Sequence, residues 1–362
     1  MTPTDPAQKL LPVFDSHHRQ NKDGCCPISA AVLKQFWRGR HWKPGETFNV
    51  YVDSPFCVQE CKFCFLKSTN LGTGDATLYE AYYKALIAEL DGWRDVLRSH
   101  PIDTLYFGGG TSSLMRTDIM RSLFQMIPNV HAIQSKCFEC DPLSLTVDKL
   151  NLLREYEFSY VTFGVQTLDK LELDNQRRRN PSIDLLDRLT SHALSQGLYV
   201  SYDVMAFLND DLDQDIARFR LDLTWIMHRL QPTAIDVYPR SPALEGCRST
   251  VLAKIRTLRR VLLEFADRYP DYLLADRAFV ESQDIAFDER YRNYFLVRMD
   301  PNEYFRRVKS YSCSDIKSAP SNQNTAGFGG YGTRLVYSYL DEKTVAYRSR
   351  FEFSEDRFIY TL

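Results

Sequence analysis

The chain has 362 residues, 44% of them apolar and 25% charged, which excludes a disordered or fibrous protein; the length exceeds one ordinary core but fits a large α/β barrel-like domain with an appendage. Lys and Arg total 45 against 47 for Asp and Glu, a net of −2, so there is no electrostatic case for a nucleic-acid or anionic-membrane partner. No apolar run approaches the roughly 18–20 residues that span a bilayer, and no basic patch followed by an apolar stretch opens the chain, so a soluble cytoplasmic protein is expected.

Residues 1–46 are polar, contain His17-His18 and scattered Pro and Gly, and have no sustained periodicity; they read as an irregular N-terminal arm. Phe48–Asp53 is β-branched and aromatic, as a buried strand should be. Thr77–His100 carries Leu78, Tyr82, Leu86, Leu90, Trp93 and Leu97 at three- and four-residue spacing, which predicts a long amphipathic helix. Strand Thr104–Phe107, a glycine turn and a helix at 118–126 follow. Strand Gln134–Glu139 precedes a helix at Thr146–Tyr156 with Thr146 as its N-cap. Strand Tyr160–Val165 leads to helices at Leu168–Asn175 and Ile183–Gln196. Strand Leu198–Val204 precedes a helix at Asp213–Arg229, and strand Ala234–Val237 a helix at Val251–Arg268.

Six β-then-α units joined in parallel are too few for an eight-fold barrel, so residues 47–269 are expected to form a partial (β/α)6 TIM-like barrel. Residues 270–362 break the pattern. They are rich in Tyr, Phe and Arg, with strand-like runs at Arg334–Tyr339 and Val345–Phe353, and read as a small C-terminal α+β lid or substrate segment.

Nine cysteines in a long chain with no visible signal peptide favour thiolates that bind metal or do chemistry over a disulfide framework. Cys57, Cys61 and Cys64 form the one tight group, C-x3-C-x2-C, directly after the first strand, where ligand-binding loops of parallel βα folds lie. Three such thiolates can grip three irons of a cubane cluster and leave the fourth open; a zinc site completed by a fourth side chain is the alternative. Cys137 and Cys140 read as core residues, with a second metal site shared with Cys25-Cys26 as the alternative. Trp37, Trp42 and Tyr51 could wall the site or pack the arm onto the barrel.

The stretch from Tyr51 to Cys64, YVDSPFCVQECKFC, resembles the signature of radical S-adenosylmethionine (SAM) enzymes, and Tyr51 with Pro55-Phe56-Cys57 resembles their oxygen-independent coproporphyrinogen III oxidase-like (HemN-like) branch. Further matches run in that branch's order: Leu105–Thr111 (LYFGGGT), Phe138–Pro142, Phe163–Gln166, Asp203 after the fifth strand, and Gly327–Gly332. The resemblance covers residues 48–240 well and the last ninety poorly. It implies a [4Fe–4S] cluster on Cys57, Cys61 and Cys64 and SAM as cofactor, two molecules of it. Tyr51, Gly109 and Glu139 would touch the SAM on the cluster, and Phe63, Gly110, Thr111, Gln166, Arg178 and Asp203 would line the second. The residues agree: Gly108–Gly110 lets backbone approach a ligand closely, and Glu139, Gln166 and Asp203 lie near C-terminal strand ends, although ordinary turns and caps use the same residue types.

In such enzymes the cofactor carries the chemistry. An electron donor such as flavodoxin or ferredoxin reduces the cluster, SAM is cleaved to a 5′-deoxyadenosyl radical, and in relatives with two SAM molecules a methylene radical from the second adds to an sp2 carbon. The sequence also departs from the branch. Asp53-Ser54 stands where coproporphyrinogen oxidases carry His-Ile, Leu66 where they carry a fourth cysteine, Ala206-Phe-Leu-Asn where the branch has Gly-Leu-Pro, and no His follows His228. The leading expectation is therefore a class C radical SAM C-methyltransferase or cyclopropanase acting on a small-molecule natural product. The alternatives are a coproporphyrinogen-type oxidative decarboxylase or dehydrogenase, and a non-catalytic haem-binding chaperone.

Overall fold

Apolar alternation along six segments builds six parallel strands, and each is followed by a helix that covers one face. The computed structural model describes Arg38, residues 48–64, 69–71, 76–240, 248–276 and 294–299, and the backbone of 333–337, 350–354 and 357–361. The rest of the arm, with His17-His18, Cys25-Cys26, Trp37 and Trp42, and the Gly327–Gly332 run lie outside the described residues.

In chain order the elements are β1 (Phe48–Ser54), β2 (Phe56–Cys57), β3 (Thr69–Asn70), α1 (Ala76–Arg98), β4 (Ile102–Gly109), α2 (Thr117–Met126), β5 (Ser135–Cys140), α3 (Val147–Glu155) and β6 (Tyr160–Gln166). They continue as α4 (Lys170–Asn175), α5 (Ile183–Ser195), β7 (Tyr199–Ala206), α6 (Leu212–Trp225), β8 (Ala234–Pro239), α7 (Arg248–Arg268), β9 (Leu273–Asp276), β10 (Tyr294–Val297), β11 (Thr333–Tyr337), β12 (Arg350–Ser354) and β13 (Arg357–Thr361). The order β1-β4-β5-β6-β7-β8 is parallel throughout, the expected six-stranded partial barrel. Strands from the segment 270–362 extend this sheet: β10 and β9 add antiparallel beyond β8, and β11, β13 and β12 add beyond β1. No described helix is long and apolar enough to cross a membrane.

Period-two alternation sorts the side chains of these strands. Val50, Val52, Leu105, Phe107, Val161, Phe163, Val200 and Val204 pack outward with Tyr82, Leu86, Leu123, Leu150, Leu186, Phe219 and Leu258 of the helices in one large core. The other face begins with an aromatic floor, on which Tyr51, Tyr106, Cys137, Tyr160 and Tyr199 stand in register across five strands. Towards the C-terminal strand ends it turns polar, with Glu139, Thr162 and Ser201 in one row and Gly164, Asp203 and Asp236 in the next.

Thr146 caps α3 as expected, its side chain accepting the Lys149 N–H at 3.3 Å. α4 starts two residues later than its apolar spacing predicts, for a reason distant in sequence. Asp222 on α6 accepts the Leu168 N–H at 2.8 Å and the Thr167 hydroxyl at 2.7 Å, and Asp169 takes over as cap, accepting the Glu172 N–H at 2.7 Å. Arg218 bridges Asp222 at 2.6 Å and Asp215 at 2.9 Å, and Asp215 accepts the Phe207 N–H at 2.7 Å. This buried triad holds the turns after β6 and β7; a lone buried charge left there would cost about 3–5 kcal/mol.

Candidate active site

The polar rows open into a cavity of about 620 Å3 at the C-terminal strand ends, the end where parallel βα folds place function. Cys57, Cys61 and Cys64 line one side of it together with Phe63, Gly109, Gly110 and Thr111; Glu139, Gln166, Arg178 and Asp203 also line it. Tyr51 stands just beneath the lining, its hydroxyl beside Gly108 and Glu139: a Cβ at Gly108 would lie 2.6 Å from Tyr51 Oη and 2.9 Å from Glu139 Oε2. Its ring lies one interior row below Asp53, stacked on Tyr106 with ring centroids 5.4 Å apart, and the period of two fixes that level.

The cysteine loop is pinned from several sides. The Leu71 N–H donates to the Cys57 carbonyl at 2.8 Å and the Lys62 N–H to the Gln176 carbonyl at 3.0 Å. Gln59 donates to Asp141 at 2.8 Å and accepts the Arg179 N–H. Cys57 Sγ and Thr111 Oγ1 are 3.0 Å apart, and Arg178 Nη1 lies 3.6 Å from Cys61 Sγ. Burial pushes the Cys61 thiol up, while the Arg178 guanidinium opposes it and favours the thiolate.

Gly109 has φ +103°, and a Cβ there would lie 2.1 Å from Asp53 Oδ1 and 2.9 Å from the Ser54 nitrogen, so only glycine fits this close passage of chain. Beside it, the Gly110 N–H donates to the Ser54 carbonyl at 2.7 Å. Glu139 accepts the Tyr106 hydroxyl and the Gly109 N–H; burial pushes its carboxyl up to about 7, Asp53 adds to the rise, and the two hydrogen bonds oppose it. Asp203 is held well above the usual carboxylate range by burial and by the charges of Asp236 and Glu139, with Arg178 opposing. Its buried Oδ1 has no hydrogen-bond partner among the described residues, an orphan acceptor in the cavity wall. Gln166 has φ +66° after a register shift between Gly164 and Gln166, and this irregularity sets its side chain in the lining.

Gln59, Thr162, Gly164, Met205 and Tyr238 line the cavity without having been singled out in the sequence. The period of two from Gln166 and Asp203 reaches Gly164, Thr162 and Met205, so a signal for those three existed. Asp236, in register with Asp203, and Tyr106, which holds Glu139, were also missed. Cys137 and Cys140 are both buried as expected, and Cys140 contributes to the cavity wall.

Among the described residues no three His, Cys, Asp or Glu side chains close around one ion. A single zinc needs every sulfur about 2.3 Å from one point, whereas a cluster takes one thiolate per iron; Cys57, Cys61 and Cys64 all line the one cavity. The orphan Asp203 oxygen and the Gly109 cradle fit a polar, amino-acid-bearing ligand beside them.

Residues 51–223 match the Radical SAM superfamily. The oxygen-independent coproporphyrinogen III oxidase of Paracoccus denitrificans is 27% identical over 158 residues, 42% of this chain and 34% of that protein. The enzyme of the same name from Helicobacter pylori is 24% identical over 295 residues, 79% of this chain and 58% of its own length. The heme chaperone HemW of Mycobacterium tuberculosis is 24% identical over 179 residues, 48% of this chain and 46% of that protein. The matches thus span from a third to somewhat over half of these relatives. The solved coproporphyrinogen III oxidase (HemN) from Escherichia coli superposes with a TM-score of 0.60 at 17% identity, over 91% of this chain and 71% of that one, and has the same fold.

Proposed function

We propose, from the premise that residues 51–223 are a radical SAM domain with coproporphyrinogen oxidase-like relatives, that this enzyme uses a second SAM to methylate or cyclopropanate an sp2 carbon of a small molecule. The observation that carries the reading is one cavity of about 620 Å3 lined by Gly109, Glu139, Gln166, Arg178 and Asp203, with the Asp203 Oδ1 left without a hydrogen-bond partner among the described residues.

Cys57, Cys61 and Cys64 would hold a [4Fe–4S] cluster, and Gly109 and Glu139 the SAM beside it. When bound, these groups supply one-electron reductive cleavage of a C–S bond and, through it, hydrogen-atom abstraction. The chain's own residues bind and orient. Tyr106 fixes the Glu139 carboxylate so that its free lone pairs can accept from a ligand hydroxyl or ammonium. Arg178 favours the Cys61 thiolate and donates to the Gly164 carbonyl, which fixes its guanidinium in the cavity lining. Asp203 would accept from the second ligand, and Gln166 and Phe63 would hold it against the first. An electron donor such as flavodoxin or ferredoxin belongs to the same reading. Coproporphyrinogen-type decarboxylation is the second reading; the names of the relatives favour it.

SAM labelled with deuterium in its methyl group separates the two. Methyl or methylene donation sends deuterium into 5′-deoxyadenosine and the methyl carbon into product. Asp203→Ala and Gln166→Ala should then suppress product at least tenfold more than cleavage of SAM, about 1.4 kcal/mol of selective transition-state loss. If the only hydrogen reaching 5′-deoxyadenosine comes from substrate, the second-SAM reading is wrong.

The raised Glu139 carboxyl gives a pH test. Its pKa of about 7 means that it gains a proton as pH falls through neutrality, and the proton competes with a cationic ligand. The SAM dissociation constant measured by equilibrium dialysis should rise up to about fivefold between pH 7 and pH 6, and Glu139→Gln should flatten the profile. A wild-type constant that does not change between those pH values would remove Glu139 from the ligand's contacts.

A further inference from the structure

The pairing of β7 with β8 sets two carboxylates together inside the barrel. Asp203 and Asp236 are partners in register, and strand alternation turns both to the interior face. Paired strands lie about 4.8 Å apart, so the two side chains stand side by side. Asp236 is 9% exposed, and its other neighbour in the row is the buried Phe295 on β10. Asp203 lines the main cavity, and its Oδ1 is buried with no hydrogen-bond partner among the described residues.

The other buried pair of aspartates in this barrel is treated differently. Asp215 and Asp222 flank Arg218, which bridges them at 2.9 and 2.6 Å. In the cavity Arg178 is the one cation among the described lining residues, and two of its nitrogens are engaged elsewhere. Its Nη2 donates to the Gly164 carbonyl, and its Nη1 lies 3.6 Å from Cys61 Sγ. The charged groups that face Asp203 are Asp236 from β8, Glu139 from β5 and Arg178 from the turn between α4 and α5. On β6 the position in register is Gly164, which carries no charge, and Tyr238 is the next interior residue along β8. Burial holds the Asp203 carboxyl well above the usual carboxylate range, the charges of Asp236 and Glu139 add to the rise, and Arg178 opposes it. Ionising both aspartates would set two like charges side by side, and a proton kept on one removes that repulsion.

We propose that Asp236 is a positioning residue that keeps Asp203 protonated, so that Asp203 meets the second ligand as a neutral acid, one oxygen accepting and one hydroxyl donating. This rests on the reading of Asp203 as a contact of that ligand. A neutral acid fits a neutral edge on which a donor stands beside an acceptor, such as a diol or an amide-like edge. A carboxylate in the same place would select an ammonium instead. Asp236 thereby decides which part of a ligand this end of the cavity takes, although it touches the ligand only through Asp203.

The test uses the full chain, reconstituted anaerobically and left oxidised. Infrared difference spectra of wild type against Asp203→Asn, taken without ligand from pH 6 to pH 9, should show a protonated-carboxyl stretch from Asp203 at pH 7. That band should fade as pH rises, and in Asp236→Asn it should fade at lower pH, because one of the charges that raise Asp203 is gone. The second arm is equilibrium dialysis with S-adenosylhomocysteine. Asp203→Ala should weaken one class of site at least about tenfold, whereas Asp203→Asn, a neutral mimic, should leave it within about threefold of wild type. Affinity at that site should fall as pH rises through the Asp203 transition, opposite in sign to the effect of protonating Glu139, and in Asp236→Asn the fall should come at lower pH. Where melting shows that Asp236→Asn disturbs the fold, Asp236→Ser takes its place. The proposal is overturned if Asp203 shows no protonated carboxyl at pH 7, if both Asp236 variants keep the wild-type transition, or if Asp203→Asn binds as weakly as Asp203→Ala. If the spectra behave as expected while dialysis responds to no change at Asp203, the reading of Asp203 as a ligand contact fails, and the positioning role with it.

Discussion

Replacing Cys57, Cys61 or Cys64 singly with Ala is expected to abolish the iron–sulfur cluster. Each thiolate would hold a different iron, and the described lining offers no spare thiol on that loop to take over. Cys140, the other cysteine in the cavity wall, is pushed well above its usual range by burial on β5, so it stays a thiol. Cys57 and Cys61 are half-buried and Cys64 is exposed, so losing one sulfur should change stability by less than about 1 kcal/mol. Iron and sulfide analysis should therefore fall from about four of each per chain to near zero, while the melting temperature stays within a few degrees of that of metal-free wild type. Wild-type protein prepared anaerobically with stoichiometric zinc and no sulfide would contradict this.

Gly109→Ala should be the most damaging single methyl in the site. The new Cβ would meet Asp53 Oδ1 at 2.1 Å and the Ser54 backbone nitrogen at 2.9 Å, so β1 and β4 must move apart where the ligand wall is built. The residue also sits at φ +103°, which costs an alanine about 1–3 kcal/mol before any clash. Two controls separate these effects. Gly197 has φ +77° with nothing within 4 Å of an added Cβ, so Gly197→Ala carries the backbone strain alone. At Gly164 the nearest atoms are ends of the Arg178 and Gln166 side chains at 3.3 Å, which can shift. The expected order of lost SAM affinity is Gly109→Ala, then Gly164→Ala, then Gly197→Ala with none; Gly109→Ala should lose at least tenfold and several degrees of melting temperature. Equal affinity for the Gly109 and Gly197 variants would remove the cradle from the ligand site.

The six strands and their helices were legible because each is long, apolar and regularly spaced, so local pattern and tertiary packing demand the same structure. The late start of α4 was not legible, because Asp222, more than fifty residues away, takes the Leu168 N–H that a helix start would otherwise leave for its own cap. The cysteine loop and the glycine run could be read because a dense local spacing of rare residue types carries their chemistry. Tyr51 shares the loop's signature, and strand alternation assigns its ring to the row of Tyr106 while its hydroxyl comes beside Gly108 and Glu139. Asp236 and Tyr106 were not legible as site residues: each reads as one member of a buried strand until pairing sets it beside Asp203 or Glu139.

The reading of the chain as a SAM-cleaving enzyme is tested most directly by product analysis of the reduced protein. Anaerobically reconstituted chain, reduced with dithionite and given SAM, should release 5′-deoxyadenosine and methionine in equal amounts, slowly even without substrate, and the Cys61→Ala variant should release neither. A fully loaded, fully reduced cluster that produces no 5′-deoxyadenosine above the Cys61→Ala background would contradict that reading.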